Sequence, residues 1–241
     1  MPIVSRLGGR FAYVQDGLIA VHNHQFMEDP QFQAAYQRGV QAAGFDYYWH
    51  WRVHVGLWAA RACAALDGDY VECGVSFGCM SSAIMQYLDW DKTGKTFFLL
   101  DTFKGIDARF LSEEERQKGK ADTSEQWVKS GLYASGVAAV QKNFSEWKNV
   151  RIIEGPIPDT LNQVDTERTA FAHIDMNNSL PEVAAADFIW PRLSRGGMLL
   201  LDDYAYYGYQ SQKDGMDAFA RRVGTAVLSL PTGQGLVIKE R

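Results

Sequence analysis

YVECGVSFGCMSSAIMQYL, residues 70–88, decides how the rest of the chain is read. YVECGV is a short apolar run with the character of a buried strand, and SSAIMQYL has that of a helix. Between them lies a turn carrying Gly74, Ser76 and Gly78. Glycine lets backbone come close to a ligand, and a helix N-terminus offers free N–H groups to an anion. The dinucleotide fingerprint wants G-x-G-x-x-G so that a pyrophosphate can approach. Here Ser76 takes the place of the middle glycine, and Glu72 stands two residues before Gly74. An acid beside a helix start suits a ligand with an ammonium and a carboxylate better than it suits a pyrophosphate. The same pattern also serves a plain strand-to-helix turn.

Working outward, the strand–helix rhythm repeats. TFFLLD (96–101), VRIIEG (150–155), TAFAHID (169–175) and GGMLLLDD (196–203) read as strands. DYYWHWRVHVGLWAARACAAL (46–66), PDTLNQV (158–164), PEVAAADFIWPRL (181–193) and residues 212–223 read as helices, the first with Val53, Leu57, Ala60 and Ala64 near one stripe. TAVLSL and LVIKE flank PTGQG and predict a closing antiparallel hairpin. Such alternation gives an α/β fold, a mostly parallel sheet with helices on both faces. Residues 1–45 show no clear period and read as an N-terminal extension or lid to a domain over 46–241. A charged insertion over about 104–136, including SEEERQKGKADTSEQW, breaks the rhythm as functional lids do.

Composition narrows the function classes. A chain of 241 residues with 46% hydrophobic and 22% charged residues holds one large folded domain. The net charge of −5 argues against nucleic-acid or membrane-surface binding, which needs clustered Lys and Arg. No run of eighteen apolar residues and no export signal is visible, and the expected location is the cytoplasm. Cys63, Cys73 and Cys79 cannot all pair and have no zinc spacing, which fits a reducing compartment.

Three constellations carry chemistry. Around the glycine turn stand Glu72, Gly74, Ser76, Gly78 and Ser81. Asp101 ends the next strand, where a carboxylate accepts the hydroxyls of a ribose or caps a helix. Asp175 ends one strand and Asp202 and Asp203 end the following one, so the three converge. Three acids in one cleft repel unless a cation holds them, and oxygen ligands suit Mg²⁺ or Ca²⁺. His173 points to the same strand face as Asp175, one pleat deeper. His50 and His54 lie one helical turn apart, and His22 and His24 read as loop residues. The aromatics Tyr47, Tyr48, Trp49, Trp51 and the 204–209 cluster suit sugar stacking, core packing or a homo-oligomer contact.

The order E-x-G-x-x-x-G-x-x-S, L-L-D-T-F-K-G, H-I-D-M-N and G-G-M-L-L-L-D-D-Y resembles the class I S-adenosylmethionine (SAM)-dependent methyltransferases. More narrowly it resembles the macrocin O-methyltransferase (TylF-like) enzymes, over roughly residues 52–239. The resemblance implies a Rossmann-like seven-stranded sheet whose last strand is antiparallel. It implies SAM over Glu72, Gly74, Ser76, Gly78 and Ser81, with Asp101, Thr102, Phe103 and Gly155 completing the cofactor wall and Asp101 on the ribose. It also implies Mg²⁺ on Asp175, Asp202 and Asp203, and a small-molecule hydroxyl acceptor that contains a sugar. Family members carry D-x-D at the first metal site, the second acid being the general base. Asn177 stands there in this chain, and an amide cannot take a proton. The expected catalytic set is therefore Asp175, Asn177 and His173, with the proton going to Asp175, to His173 or His54, or to water. The competing expectations are a SAM-binding protein without methyl transfer and, from the glycine turn alone, a nicotinamide oxidoreductase.

Overall fold

The computed structural model describes residues 4–7 and 10–240. Three strands open the chain, β1 (Val4–Leu7), β2 (Arg10–Gln15) and β3 (Leu18–Ala20), paired antiparallel in a small sheet of their own. Asp16 and Gly17 turn β2 into β3 with φ of 52° and 70°, as a two-residue Asp-Gly hairpin requires. That dipeptide is a strong hairpin signal, and the reading of 1–45 as lacking a clear period missed it. Helix α1 (Pro30–Ala43) follows, started by Asp29, whose carboxylate accepts from the Gln31 and Phe32 backbone N–H groups. It packs on α2 (His50–Cys63) and α3 (Cys79–Leu88), so much of the extension is core.

Beyond it lies a seven-stranded sheet of β4 (Asp69–Cys73), β5 (Phe97–Asp101), β6 (Val150–Glu154), β7 (Thr169–Ile174), β8 (Leu193–Leu201), β9 (Leu228–Ser229) and β10 (Gly235–Ile238). The strand order is β6-β5-β4-β7-β8-β10-β9. β4 through β8 run parallel, and β10 lies antiparallel on β8. Every residue of β7 is buried, as expected of a central parallel strand covered on both faces. β5 shows how the period of two divides the core: Phe97 and Leu99 join the cluster under α1–α3, while Phe98 and Leu100 join the cluster under α7 (Ser179–Ile189) and α8 (Gln210–Val223).

The insertion is helical. It contains α4 (Glu113–Gln117), closed by a reciprocal cap between Ser112 and Glu115, and α5 (Lys120–Ser130), and α6 (Val137–Phe144) follows it. PDTLNQV does not make the expected helix. Only Leu161–Gln163 forms a 3-10 turn, because seven residues opening on a proline nucleate a helix poorly. The closing hairpin is present, with its first strand only two residues long.

Candidate active site

The register of the sheet brings the site together. Cys73 of β4 lies beside Ile174 of β7, and Ile174 beside Leu201 of β8. The next residues, Gly74, Asp175 and Asp202, therefore emerge side by side at the strands' C-terminal ends, where ligands bind in such sheets. A cavity of about 320 Å³ opens there. Glu72, Gly74, Ser76, Asp101, Thr102, Gly155, His173, Asp175, Asn177, Asp202 and Asp203 all line it. Gly78, Ser81 and Phe103 do not: Phe103 is buried in the core, and a Cβ on Gly78 would strike the Phe144 ring at 2.4 Å. At Gly74, with φ +86°, a Cβ would lie 1.8 Å from the Asp175 carbonyl oxygen. Glycine there is the condition for β4 and β7 to end together.

One wall is made by backbone. Asp101 Oδ2 accepts from the Val75 and Ser76 N–H groups at 2.7 Å each, and its Oδ1 accepts from Phe103 N–H at 2.6 Å. This carboxylate holds the glycine turn to the end of β5; Oδ2 uses both lone pairs on those N–H groups, and Oδ1, whose other contact is the Thr102 hydroxyl at 3.4 Å, is the oxygen open to a ligand hydroxyl. Glu72 adds a buried acceptor: its Oε1 faces His173, and its Oε2 has no partner. A buried carboxylate oxygen left unmet at a cavity wall is costly and fits a ligand ammonium.

The other wall is made by charge. His173, fully buried, has Nδ1 2.8 Å from Glu72 Oε1 and Nε2 3.4 Å from Asp202 Oδ1. Burial alone would strip its proton, but Asp202 and Glu72 outweigh burial and push its pKa up to about 10. One ligand atom each from His173, Asp175 and Asp202 lies within 4.8 Å of the others, a donor set that could hold a divalent ion. Burial, then Asp202 and Asp203, drive the Asp175 carboxyl well above the usual range. Burial, then Asp202, push Asp203 up to about 7. Burial opposes ionisation of Asp202 too, yet Arg52 and then His173 hold it below the ordinary range.

Arg52 is the residue that sequence reasoning missed. It is 3% exposed on α2. Its Nη1 donates to Asp202 Oδ2 and lies 3.8 Å from Asp203 Oδ1, and its Nε donates to Asp16 Oδ2 at 2.8 Å. Its guanidinium also lies over the Tyr206 ring, 4.5 Å from the centroid. Asp16 arrives on the β2–β3 turn, where Tyr206 Oη donates to its Oδ1 at 3.2 Å. The available signal was position: Arg52 stands four residues before Gly56 and eight before Ala60, on the buried face of its helix, where a charge needs a partner.

Asn177, with φ 61°, accepts from the Tyr209 hydroxyl at 2.7 Å, and its amide nitrogen faces Asp175 Oδ1 at 3.4 Å. Its backbone carbonyl accepts from Lys120 Nζ at 2.7 Å. Glu115 Oε1 accepts from Ser179 N–H at 2.9 Å, so the insertion is fastened to this loop at two points. Trp127, Leu132 and Tyr133 of the insertion line the cavity, as do Tyr47, Trp49, Tyr206 and Tyr209. His54 is elsewhere, stacked on Phe26 at 3.9 Å in a separate groove with Trp58 and Tyr87. It takes no part in this site.

A family model described as Macrocin-O-methyltransferase (TylF) matches residues 59–223. Mycinamicin III 3''-O-methyltransferase of Micromonospora griseorubida is 26% identical over 146 residues, covering 58% of this chain and 56% of that protein. The 8-demethyl-8-(2,3-dimethoxy-alpha-L-rhamnosyl)-tetracenomycin-C 4'-O-methyltransferase of Streptomyces olivaceus is 28% identical over 150 residues, covering 58% and 54%. The chain thus aligns with only about half the length of these relatives. Among solved structures, the O-methyltransferase NovP superposes with a TM-score of 0.67 at 20% identity, covering 79% of this chain and 80% of that one. CalS11, a calicheamicin methyltransferase, gives 0.59 at 15% identity over 87% and 93%. At these identities the likeness is one of fold.

Proposed function

Because this chain belongs to the macrocin O-methyltransferase (TylF) family, we propose that it transfers a methyl group from SAM to a hydroxyl of a sugar-containing small molecule. The observation that carries this reading is the pair of unlike walls around one cavity: Asp101 and the unpartnered Glu72 Oε2 on one side, the Asp175–Asp202–Asp203 cluster on the other. Both curated relatives are named as O-methyltransferases, and the name of the second specifies a rhamnosyl compound.

In this reading Glu72 takes the cofactor ammonium, Asp101 the ribose hydroxyls, and Ser76, Thr102 and Gly155 the rest of the cofactor wall. SAM supplies an already activated methyl sulfonium. The chain's own task is to align that methyl with the acceptor oxygen and to remove the hydroxyl proton. The C–O bond forms as the S–C bond breaks, leaving S-adenosylhomocysteine and a proton. Asp175 is the group placed to receive that proton: Asn177 cannot take it, both His173 nitrogens are committed to carboxylates, and His54 is elsewhere. Mg²⁺ is the proposed metal, which Asp175, Asp202 and Asp203 would hold; when bound it supplies positive charge to a developing alkoxide. Tyr206, Tyr209, Trp127 and Tyr133 offer ring faces to a sugar. Residues 104–136 serve as the lid over that acceptor and residues 1–45 as an extension that closes the site from α2. Three free cysteines suit a reducing cytoplasm, and among the described residues no helix is long and apolar enough to cross a membrane.

The test is calorimetric titration with S-adenosylhomocysteine and, separately, with NAD, followed by product mass analysis on a panel of glycosylated acceptors. Binding of S-adenosylhomocysteine with a gain of one methyl on an acceptor is the expected result. Preference for NAD would overturn the reading. Asn177 favours one alternative, a SAM-binding protein that lacks transfer; it predicts cofactor binding with no methylated product, with or without Mg²⁺.

A further inference from the structure

The carboxylate cluster already has a cation bound to it. Both oxygens of Asp202 already have partners: Oδ1 faces His173 Nε2 at 3.4 Å and accepts from Gln234 Nε2 at 2.8 Å, while Oδ2 accepts from Arg52. The same Arg52 Nη1 donates to the Asp202 backbone carbonyl at 3.2 Å and stands 3.8 Å from Asp203. Asp16, on the N-terminal hairpin, takes the Nε edge of the guanidinium. Aromatic faces of Tyr206 and Trp49 lie 4.5 and 5.6 Å from it. A guanidinium so enclosed and desolvated stays charged and gives up its carboxylates reluctantly.

We propose that Arg52 competes with the divalent ion for Asp202, so that this residue, steadied by Asp16 of the N-terminal hairpin, sets how readily the metal binds. This rests on the reading of Asp175 and Asp202 as metal ligands. A divalent ion arriving at Asp175, Asp202 and Asp203 meets a fixed positive charge already on an Asp202 oxygen, and like charges that close repel strongly in a buried site. Asp16 holds the guanidinium by Nε, while Asp202 takes Nη1. Without Asp16 the full hydrogen-bonding capacity of Arg52 falls on Asp202 and Asp203. Tyr206 then couples hairpin and cluster, since its hydroxyl binds Asp16 and its ring lies over Arg52.

The experiment is titration of the purified full chain with Mn²⁺ alone, free ion counted by electron paramagnetic resonance, with thermal melting as the check on folding. Arg52→Gln keeps a hydrogen-bond donor on Asp202 but removes the charge, and is expected to tighten Mn²⁺ binding by about tenfold. Arg52→Lys, which keeps the charge, is expected to bind as the parent does. Asp16→Asn leaves Arg52 in place and is expected to weaken binding by about threefold; it serves if Arg52→Gln does not fold. Binding by the parent that is unchanged or weaker in Arg52→Gln, or unchanged or tighter in Asp16→Asn, overturns the proposal while leaving the metal reading intact. No Mn²⁺ bound by any of the four proteins overturns both.

Discussion

The two walls of the cavity are built in opposite ways. The wall proposed for the cofactor is local: Glu72, Gly74 and Ser76 lie within five residues, and Asp101 reaches them because β5 neighbours β4. Its strongest bonds run from backbone N–H groups to one carboxylate. The acceptor wall is assembled from distant segments. Arg52, Asn177 and Tyr209 line it, Asp16, Lys120 and Gln234 support them from behind, and side chains make most of the bonds among these six stretches. A backbone-built wall tolerates side-chain change and depends on glycine and turn geometry. A side-chain wall can be retuned residue by residue, which suits the half of the site that must distinguish acceptors.

The largest test of that contrast is Gly74→Ala. With a Cβ directed 1.8 Å from the Asp175 carbonyl at a φ of +86°, the strand ends must separate. The expected outcome is loss of measurable S-adenosylhomocysteine binding in calorimetry together with a lowered melting temperature. Unchanged binding would mean that the cofactor wall is not built on this turn.

Next is Asp175→Asn, which should lower turnover on a methylated acceptor by about 100-fold or more while the S-adenosylhomocysteine dissociation constant moves less than about twofold. Loss of cofactor affinity in step with turnover would erase the distinction between the walls. Asp101→Ala should do the reverse. It leaves the Val75, Ser76 and Phe103 N–H groups unmet and should weaken cofactor binding by about 30-fold, or about 2 kcal/mol. The acceptor-side step, measured at saturating SAM, should change little.

The smallest expected effect is a pH slope. Asp203 titrates at about 7 in the folded chain, against the ordinary range when unfolded, because burial and Asp202 oppose its ionisation. Between those values the native state keeps a proton that the unfolded state has lost, so stability falls as pH rises from about 4 to about 7. In metal-free protein the melting temperature should decline by a few degrees across that window, and Asp203→Asn should make the decline shallower, with Asp175 and Glu182, whose carboxyls burial also raises, supplying the remainder. A slope identical in the variant would assign the titration to another group.

How much was legible follows the same division. Strand–helix alternation and the Gly74 turn predicted the α/β sheet, and the closing apolar runs predicted the antiparallel end of it. Asp175 and Asp202 converge as their positions at adjacent strand ends required. The Asp16–Gly17 hairpin was present in the sequence as a turn signal and was overlooked among the aromatic residues around it. PDTLNQV had helix-like composition but too few residues to pay for nucleation.

By itself the sequence determined the alternation of strands and helices in the main sheet, its antiparallel closing hairpin, the glycine positions, and the carboxylates that end β5, β7 and β8, because hydrophobic period and turn chemistry are local properties. Tertiary structure alone decided that Arg52 lies on Asp202, that Asp16 steadies it from a separate small sheet, and that Lys120 holds the carbonyl of Asn177. These pairs are 150, 36 and 57 residues apart in the chain. A buried charge needs a partner, and no local pattern says which distant carboxylate the folded chain will bring to it.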